Sequence, residues 1–464
     1  MEINSRDRVN RALFQENLSK IKYEDLDSFT SLLKFAGLIV MYNFFRSRLY
    51  YISVICLAAL YLAILFLHYS KIGFEDFNFY WDAALRVSNG LSPYKYHDIS
   101  TYVYGPSLSI ILSFFSKTNP HWIVLGWRSG VLFVTFYLAL RFNRDSDNQN
   151  KSRNLPLILG LSFLSFPFRN NLANVQVVVF VMALIYIFIK ACDSNKEWLG
   201  AACYLFAFEL KPYLVLFLLL ILVWKKKFIY LIKIFIEFVM LCIVYYFCFQ
   251  KLNYLNWLDV IKFRSKGITS GSDQATLLAS LNNVFGIPQN IAFYLAAFVS
   301  MIIILFSVKT IRNFSYLDAM FFTLSASPLL GSFAHEQDYF ISTCVLIYFF
   351  LRSESRRASS LFFFLLAISL NWTNVSVLPG YISLFILLLL VNLSISYSAK
   401  IYQNIILITV GVLSLLLCTY LNKYSSINAS FKWHNVLAYS YGLGVWLYII
   451  LIRPKKSEEK INVQ

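Results

Sequence analysis

Long, continuous apolar runs recur from residue 49 onwards, and they restrict the fold more than any other feature of the sequence. Hydrophobic residues make up 58% of the 464 residues and charged residues only 14%, so a soluble domain of this size has too little polar surface to cover the apolar one. Because the runs are continuous and do not alternate, they indicate membrane-spanning helices and not the strands of a β-barrel. We therefore predict an all-α polytopic membrane protein with about 12–14 spans, at roughly one span for every 20 apolar residues.

Positive charge is unevenly distributed along the chain. The net charge is +17, but Lys and Arg stand in short clusters beside the apolar runs, a pattern typical of membrane topology and of contact with anionic headgroups. We therefore expect contacts with membrane lipids and no nucleic-acid partner. The seven cysteines lie in or next to apolar runs without a CxxC pair, so we interpret them as packing residues.

The distribution of charge also predicts which segments face the cytoplasm. Residues 1–48 hold eight Lys and Arg residues, which indicates a cytoplasmic tail before a retained first span over 49–69. The loop 73–106 carries four acids and is predicted to lie outside. We expect a transmembrane domain over 49–453 and a second cytoplasmic tail over 454–464, in the cytoplasmic (inner) membrane.

Several polar stretches are predicted to share the outer side with the loop 73–106. Further clusters of Lys and Arg, from residue 225 to the C-terminal tail, act as inside signals. Single spans between these clusters place three polar stretches outside: 251–286, 331–338 and 371–376. Polar segments far apart in sequence thus converge on one membrane face, as parts of one site do.

The segment 104–116 is short for a span and leaves two topologies open. If it is re-entrant, the basic loop over 141–153 lies inside, and Asn174 and Gln176 lie outside, near the other polar segments. If it spans, those sides invert unless another break compensates.

The loop 73–106 combines carboxylates with many aromatic side chains directly after the first span. Carboxylates remove protons from hydroxyl groups, and aromatic rings hold sugars by stacking; an interfacial aromatic belt with solvated acids has the same composition. Asp76 lies where a general base reaches a substrate in the outer leaflet. Asp82 follows six residues later, a spacing that does not put it on the same helical face. Either acid is alternatively explained by stabilisation of a helix N-terminus.

Two charged motifs interrupt later apolar runs. Lys211 lies at membrane depth, where a charge is costly and indicates function, such as binding a lipid-linked phosphate. The alternative is a pair with Glu209 at a broken helix end. His335 stands beside Glu336 and Asp338 and is suited to bind a phosphate or position a sugar. The spacing is not HExxH and no second His is near, so we predict no metal site.

Several motifs together resemble the bacterial polyprenyl-phosphate-mannose-dependent enzymes of glycosyltransferase family 87, which are GT-C glycosyltransferases. The likeness runs over roughly residues 50–350. In chain order the motifs are Asp76-Phe77, Tyr80 to Gly90 and Tyr94, Tyr102-Val103-Tyr104-Gly105-Pro106, Asn174-Val175-Gln176, Gly200–Pro212, Asp273-Gln274 to Asn282, and Ser327-Pro328 with His335. The family often has a Trp-x-His-His-like motif where this chain has the single His335.

This resemblance implies a GT-C-like bundle that transfers a hexose, with mannose as the first candidate. The donor would be a polyprenyl-phosphate sugar, the acceptor a lipid or glycan, and transfer would invert the anomeric centre on the outer face of the membrane. The resemblance makes Asp76 the catalytic base, Lys211 the contact to the lipid phosphate and His335 a donor- or phosphate-binding residue. We expect further substrate contacts from Tyr80, Asp82, Tyr104, Asn174, Gln176, Gln274 and Glu336. No cofactor is expected beside the lipid-linked donor.

Two other functions account for some of the same features. A flippase or transporter for a lipid-linked sugar would use the same aromatics and charges, but it predicts internal repeats, and the sequence has no visible repeat. A polysaccharide polymerase or ligase with diphosphate donors would be expected to depend more on outer-loop Arg and His than on an Asp directly after the first span.

Overall fold

The computed structural model describes most of the chain between residue 75 and residue 352, and one C-terminal helix. All of these residues lie in a single unit, Ile64–Gln464. The described ranges are 75–95, 102–145, 162–163, 165–248, 254–267, 274–283, 285–331, 334–352 and 427–452. The predictions for 1–48, 49–69, 371–376 and 454–464 concern residues outside these ranges.

Every regular element in the described ranges is helical, which confirms the predicted all-α class. In chain order the α-helices are α1 Glu75–Ser88, α2 Pro106–Ser113, α3 Pro120–Asp145, α4 Phe166–Ala173, α5 Val178–Asp193, α6 Glu197–Leu210, α7 Pro212–Trp224, α8 Phe228–Cys248, α9 Tyr254–Gly267, α10 Leu277–Asn283, α11 Gln289–Ile311, α12 Tyr316–Leu330, α13 Phe340–Arg352 and α14 Ile427–Ile452. A short 3-10 helix, Glu336–Tyr339, leads into α13.

Within the described residues, three helices are long and apolar enough to cross a membrane. They are α3, most of α8 (Phe228–Phe247) and α11. Helices α4 and α5 form a fourth candidate, bent by 117° at the break between them. These helices support a polytopic membrane protein; the total of 12–14 spans also counts residues outside the described ranges and stays a prediction.

Helix α2 favours one of the two alternatives for the segment 104–116. It has eight residues and begins at Pro106, so at 1.5 Å per residue it extends ~12 Å, much less than the ~30 Å apolar layer. The chain then turns into α3, whose last residue, Asp145, pairs with Lys190 near the end of α5 (2.8 Å). Asn174 and Gln176 precede α5 and therefore lie at its other end. This arrangement matches the re-entrant alternative.

The helix break around Lys211 follows directly from the sequence. Pro212 lacks an N–H and disfavours helical geometry in the residue before it, so α6 ends at Leu210 and α7 starts with Pro212 at its first turn. Lys211 between them is extended, with φ −151° and ψ 78°. The break turns the Lys211 side chain out of both helices, and α7 packs against α12.

Candidate active site

Asp76, in the first turn of α1, accepts a hydrogen bond from the side-chain amide of Gln176, one hundred residues later in the chain. The Gln176 Nε2 donates to Oδ2 of the carboxylate. Asp76 is partly exposed, whereas Gln176 is 2% exposed. The structure thus brings together two residues that were predicted separately, from the first loop and from the middle of the chain.

The turn between α4 and α5 fixes the position of Gln176. The Gln176 N–H donates to the Asn171 carbonyl at 2.9 Å, which closes the end of α4 in a Schellman-type turn. Val175 in this turn has φ +57°, a left-handed conformation that is rare for a β-branched residue. The buried Arg128 donates to the last two carbonyls of α4, each at 3.1 Å. A strained but well-supported backbone therefore presents Gln176 to Asp76.

Tyr80 and Tyr104 form a pair of buried phenols next to Asp76. Their hydroxyl oxygens are 3.0 Å apart, and Tyr94 donates to the Tyr104 carbonyl, also at 3.0 Å. Burial, with Tyr104 and the Asp76 carboxylate nearby, raises the pKa of Tyr80 well above its usual value. Both tyrosines were predicted as substrate contacts, and they are placed to act as neutral hydrogen-bonding groups.

Lys211 lies against the same Tyr104 ring and forms a buried ion pair. Its Nζ is 5.8 Å from the Tyr104 ring centroid and 5.6 Å from that of Tyr213, and it donates to the Tyr213 hydroxyl at 3.1 Å. The Nζ is 3.2 Å from Oδ1 of Asp338, with side chains 6% and 0% exposed. A buried ammonium requires such a counter-charge. Tyr104 therefore contacts both the Asp76 side of the site, through Tyr80, and the Lys211 side.

Asp338 is the central residue that the sequence did not single out as a substrate-site residue. Its Oδ2 accepts hydrogen bonds from the Tyr213 hydroxyl and from the His335 N–H, the latter at 2.9 Å. One carboxylate thus holds the Lys211 break and the His335 loop together. The sequence signal for Asp338 was Lys211, because a lysine within an apolar run requires a buried acid as its partner.

Glu209 is not the partner of Lys211, so the alternative of a Glu209/Lys211 pair is wrong. Its carboxylate accepts from the Ser107 N–H at 2.9 Å and from the Tyr245 hydroxyl at 3.1 Å. The Glu209 carbonyl also accepts from the Gly105 N–H at 2.6 Å. Because Glu209 lies on α6 and Lys211 directly follows that helix, these bonds tie the Lys211 break to the loop that carries Tyr104.

An amide cluster links the α4–α5 turn with the His335 loop. Asn174 donates to the Asn170 side-chain oxygen at 2.6 Å, and Asn170 donates to Gln337 at 3.2 Å and to Glu336 at 3.5 Å. The predicted contacts Asn174 and Glu336 thus meet through Asn170. The network joins the part of the site next to Asp76 to the part next to His335.

Gln274 also lies beside the His335 loop. It is 4% exposed, and the N–H of the next residue, Ala275, donates to the Ala334 carbonyl at 2.8 Å. The Tyr339 hydroxyl donates to the Ala275 carbonyl, also at 2.8 Å. These bonds hold the Gln274 segment against residues 334–339.

Asp82 is placed differently from the other predicted residues. It forms an ion pair with Lys95 at 2.9 Å, and both side chains are close to half exposed. Six residues of helix separate it from Asp76, so it projects in another direction. No contact described between residues 75 and 352 joins Asp82 to the Asp76–Gln176 pair.

The site combines a partly exposed carboxylate, a buried ammonium and several aromatic hydroxyls. The side chains that a ligand can reach without rearrangement are partly exposed: Asp76, Asn174, Tyr213, His335 and Glu336. Among the residues that the structure describes, no group of three or more His, Cys, Asp or Glu side chains is arranged to hold a metal ion. The arrangement is suited to proton removal from a hydroxyl beside a stabilised anion.

Comparison with known protein families places the chain next to a glycosyltransferase family. The sequence model of glycosyltransferase family 87 matches residues 102–334, just over half of the chain. The matched range includes Tyr104, the α4–α5 turn, the Lys211 break and Gln274. Among curated proteins, none matches the chain.

Proposed function

The chain belongs to glycosyltransferase family 87, and from that premise we propose that it transfers a hexose from a polyprenyl-phosphate donor to a lipid or glycan acceptor. Family membership makes the protein a glycosyltransferase. We propose mannose as the first candidate for the sugar, the outer face of the cytoplasmic membrane as the place of transfer, and inversion at the anomeric carbon as its outcome.

The observation that carries this proposal is the arrangement of Asp76 and Lys211 around Tyr104. Asp76 is oriented by Gln176 and partly exposed, so it is placed to take the proton of an acceptor hydroxyl. As that proton moves to Asp76, the hydroxyl oxygen attacks the anomeric carbon from the face opposite the lipid phosphate. The bond from that carbon to the phosphate oxygen breaks, and its electron pair leaves with the phosphate. Proton transfer of this kind typically contributes about 10²–10⁴ in rate.

The Lys211 side of the site would stabilise the departing phosphate. Its ammonium is buried, so its charge is screened less by water than a surface charge is. The partly exposed His335 and Tyr213 supply hydrogen-bonding groups beside it. Because a lipid phosphate is already a good leaving group, no strong general acid is required.

The charge of this region also favours one donor type over another. Lys211 and Asp338 form a pair that is neutral as a whole. A phosphodiester brings one negative charge to this neutral pair and a diphosphate brings two, so the diphosphate is the more costly of the two to bind here. This supports a polyprenyl-phosphate donor over the diphosphate donors of polymerases and ligases.

The test is sugar transfer by purified protein in lipid vesicles, with polyprenyl-phosphate-linked mannose, glucose and arabinose and a membrane glycolipid extract as acceptor. We expect Asp76→Asn to lower kcat by about 10²–10⁴ while the protein stays folded. Asp193→Asn is the matched control, because it makes the same chemical change at an exposed position at the far end of α5.

Three other outcomes would contradict parts of this proposal. Transfer at the wild-type rate by folded Asp76→Asn would remove Asp76 from the role of base. In a parallel assay with diphosphate-linked donors, transfer from these donors alone would indicate a polymerase or ligase. Protein-dependent movement of the lipid between leaflets, without transfer from any donor, would indicate a flippase.

A further inference from the structure

The two ends of the Gln176 side-chain amide face different surroundings. The Nε2 donates to the Asp76 carboxylate. This orientation is fixed by charge, because the carbonyl end of the amide would repel a carboxylate while the N–H end attracts it. The carbonyl oxygen, Oε1, therefore points away from Asp76.

The Oε1 of Gln176 is buried and has no hydrogen-bond partner among the described residues. A buried carbonyl oxygen that lacks a donor is unfavourable, and native proteins seldom leave one without a protein, water or ligand partner. The backbone of Gln176 gives the side chain little freedom to turn away. Its N–H donates to Asn171, and its carbonyl accepts from the Trp127 indole at 3.2 Å.

The strained backbone of Val175, the residue before Gln176, also indicates that this turn has a functional role. Val175 holds φ +57°, and its side chain is fully buried. Such conformations persist when the surrounding structure enforces them, and they cluster at functional sites. Here the strained residue directs Gln176 towards Asp76 and leaves an unsatisfied acceptor oxygen, which is buried and which a ligand reaches once a neighbouring side chain moves aside.

We propose that Gln176 has two functions, one at each end of its amide: the N–H orients Asp76 as a carboxylate, and Oε1 accepts a hydrogen bond from the sugar acceptor. The inference rests on the proposed function. The nucleophilic hydroxyl gives its one proton to Asp76, so the donor to Oε1 is a second hydroxyl. The short reach of one amide places that hydroxyl on a neighbouring carbon, and the acceptor is therefore a sugar or another polyol with adjacent hydroxyl groups.

Two titratable groups described near Asp76 do not ionise in the pH range in which its carboxylate is measured. On α1 and in the loop before α2 they are Tyr80 and Tyr104, and in the α4–α5 turn the neighbour is the neutral Gln176. Burial raises the pKa of both tyrosines above the usual value. Neither phenol therefore ionises in the acidic range, where the activity of a carboxylate base falls as it gains a proton.

The experiment compares Gln176→Met and Gln176→Glu with wild type, using the acceptor extract and the donor on which wild type is active. Met removes both ends of the amide. Glu removes the N–H and adds a negative charge towards Asp76, but its other oxygen still accepts a hydrogen bond. Gln289→Met, at an exposed position at the start of α11, is the control for loss of an amide.

We expect the acid limb of kcat/KM to move to higher pH in both variants. The lost N–H stabilised the charged form of Asp76, so a higher pH is required to deprotonate it, and the added carboxylate in Gln176→Glu enlarges the shift. We also expect kcat to fall by about 10–10² in Gln176→Met, because a misplaced base costs that much. The KM for the acceptor should rise about tenfold in Gln176→Met and stay near wild type in Gln176→Glu, with the KM for the donor unchanged in both.

The readouts separate failure of this inference from failure of the proposed function. An inactive wild type would overturn the proposed function and the inference together, and transfer at the wild-type rate by folded Asp76→Asn would overturn the role of Asp76 as base and, with it, the inference. An active wild type with an inactive Asp76→Asn, but unmoved acid limbs in both Gln176 variants, would overturn the positioning role alone. An unchanged acceptor KM in Gln176→Met would overturn the contact from Oε1. Thermal unfolding of each variant ensures that only folded protein is compared.

Discussion

Two buried aspartates lie at opposite ends of the pair of helices α12 and α13, and their partners differ. Asp318, in the first turn of α12, has partners close by. It is hydrogen-bonded to Ser315, just before α12, at 2.8 Å and to Tyr348 of α13 at 3.0 Å, and it forms an ion pair with Arg352 of α13 at 3.5 Å. Asp338, just before α13, is paired with Lys211 and Tyr213, more than one hundred residues earlier.

The difference separates a carboxylate that bonds within one helix pair from one that also joins distant segments of the chain into a site. Ser315 is the N-cap of α12 and accepts from the Asp318 N–H, so Asp318 belongs to an ordinary helix start. Asp338 also accepts from the His335 N–H in a capping box at the start of the 3-10 helix, but that bond does not involve the buried Lys211 ammonium. Burial of two charges is at best weakly stabilising, so we explain this pair by the geometry that it imposes on Lys211 and on the His335 loop.

The largest effect expected from this comparison is that of Asp338→Asn. The substitution leaves the buried Lys211 ammonium without its counter-charge, so we expect the free energy of unfolding to fall by about 3–5 kcal/mol. Denaturant titration in detergent micelles measures this change. Sugar transfer by the remaining folded protein should also fall, because Lys211 and His335 lose a common partner.

The control for Asp338→Asn removes both charges. In the double variant Lys211→Met, Asp338→Asn no lone charge is buried, so much of the lost stability should return while transfer stays low. A double variant as unstable as Asp338→Asn would show that the ion pair is not the source of the effect. A fully stable Asp338→Asn would remove the distinction between the two aspartates.

A smaller effect is expected from Gly105→Ala, which disturbs the contact between α6 and the loop that carries Tyr104. A Cβ at Gly105 would lie 2.5 Å from the Cβ of Glu209, closer than packing permits. We expect a loss of about 1–3 kcal/mol in the free energy of unfolding, and lower transfer because the Lys211 break shifts relative to Tyr104.

Gly126→Ala is the matched control for Gly105→Ala. Gly126 lies inside α3, and a Cβ there would have no neighbour within 4 Å. Alanine in a helix interior is favoured over glycine by about 0.5–1 kcal/mol, so this variant should be slightly more stable than wild type. Equal destabilisation by both substitutions would mean that the contact with Glu209 is not responsible.

The features that the sequence predicted depend on local pattern. Apolar runs gave the all-α class, and Pro212 gave the helix break. The shortness of 104–116 gave the re-entrant alternative, which α2 supports. The sequence also led us to expect Asp76 and Gln176 in one site, because both belong to motifs that resemble glycosyltransferase family 87, and motifs that recur together in a family tend to share a site.

The features that the sequence did not predict depend on which distant groups meet. Lys211 has Glu209 two residues away, yet its partner is Asp338, because the break at Pro212 turns the two side chains in different directions. Asp82, predicted as a substrate contact, instead pairs with Lys95 in the loop after α1. The left-handed Val175 has no sequence signal, since glycine and asparagine are the residues that usually adopt that conformation.

The smallest effect is expected from Ser315→Ala, at the end of the helix pair opposite Asp338. Loss of the cap should lower the free energy of unfolding by about 0.5–2 kcal/mol, with transfer per folded molecule unchanged. Ser194→Ala, where an exposed hydroxyl bonds the Lys190 carbonyl, is the control and should stay within about 0.5 kcal/mol of wild type. Because the hydrogen bonds described for Ser315 all join it to the first turn of α12, a loss of transfer as large as that of Asp338→Asn would mean that the two ends of the helix pair are coupled. The distinction between an aspartate that bonds within the helix pair and one that joins distant segments into a site would then fail.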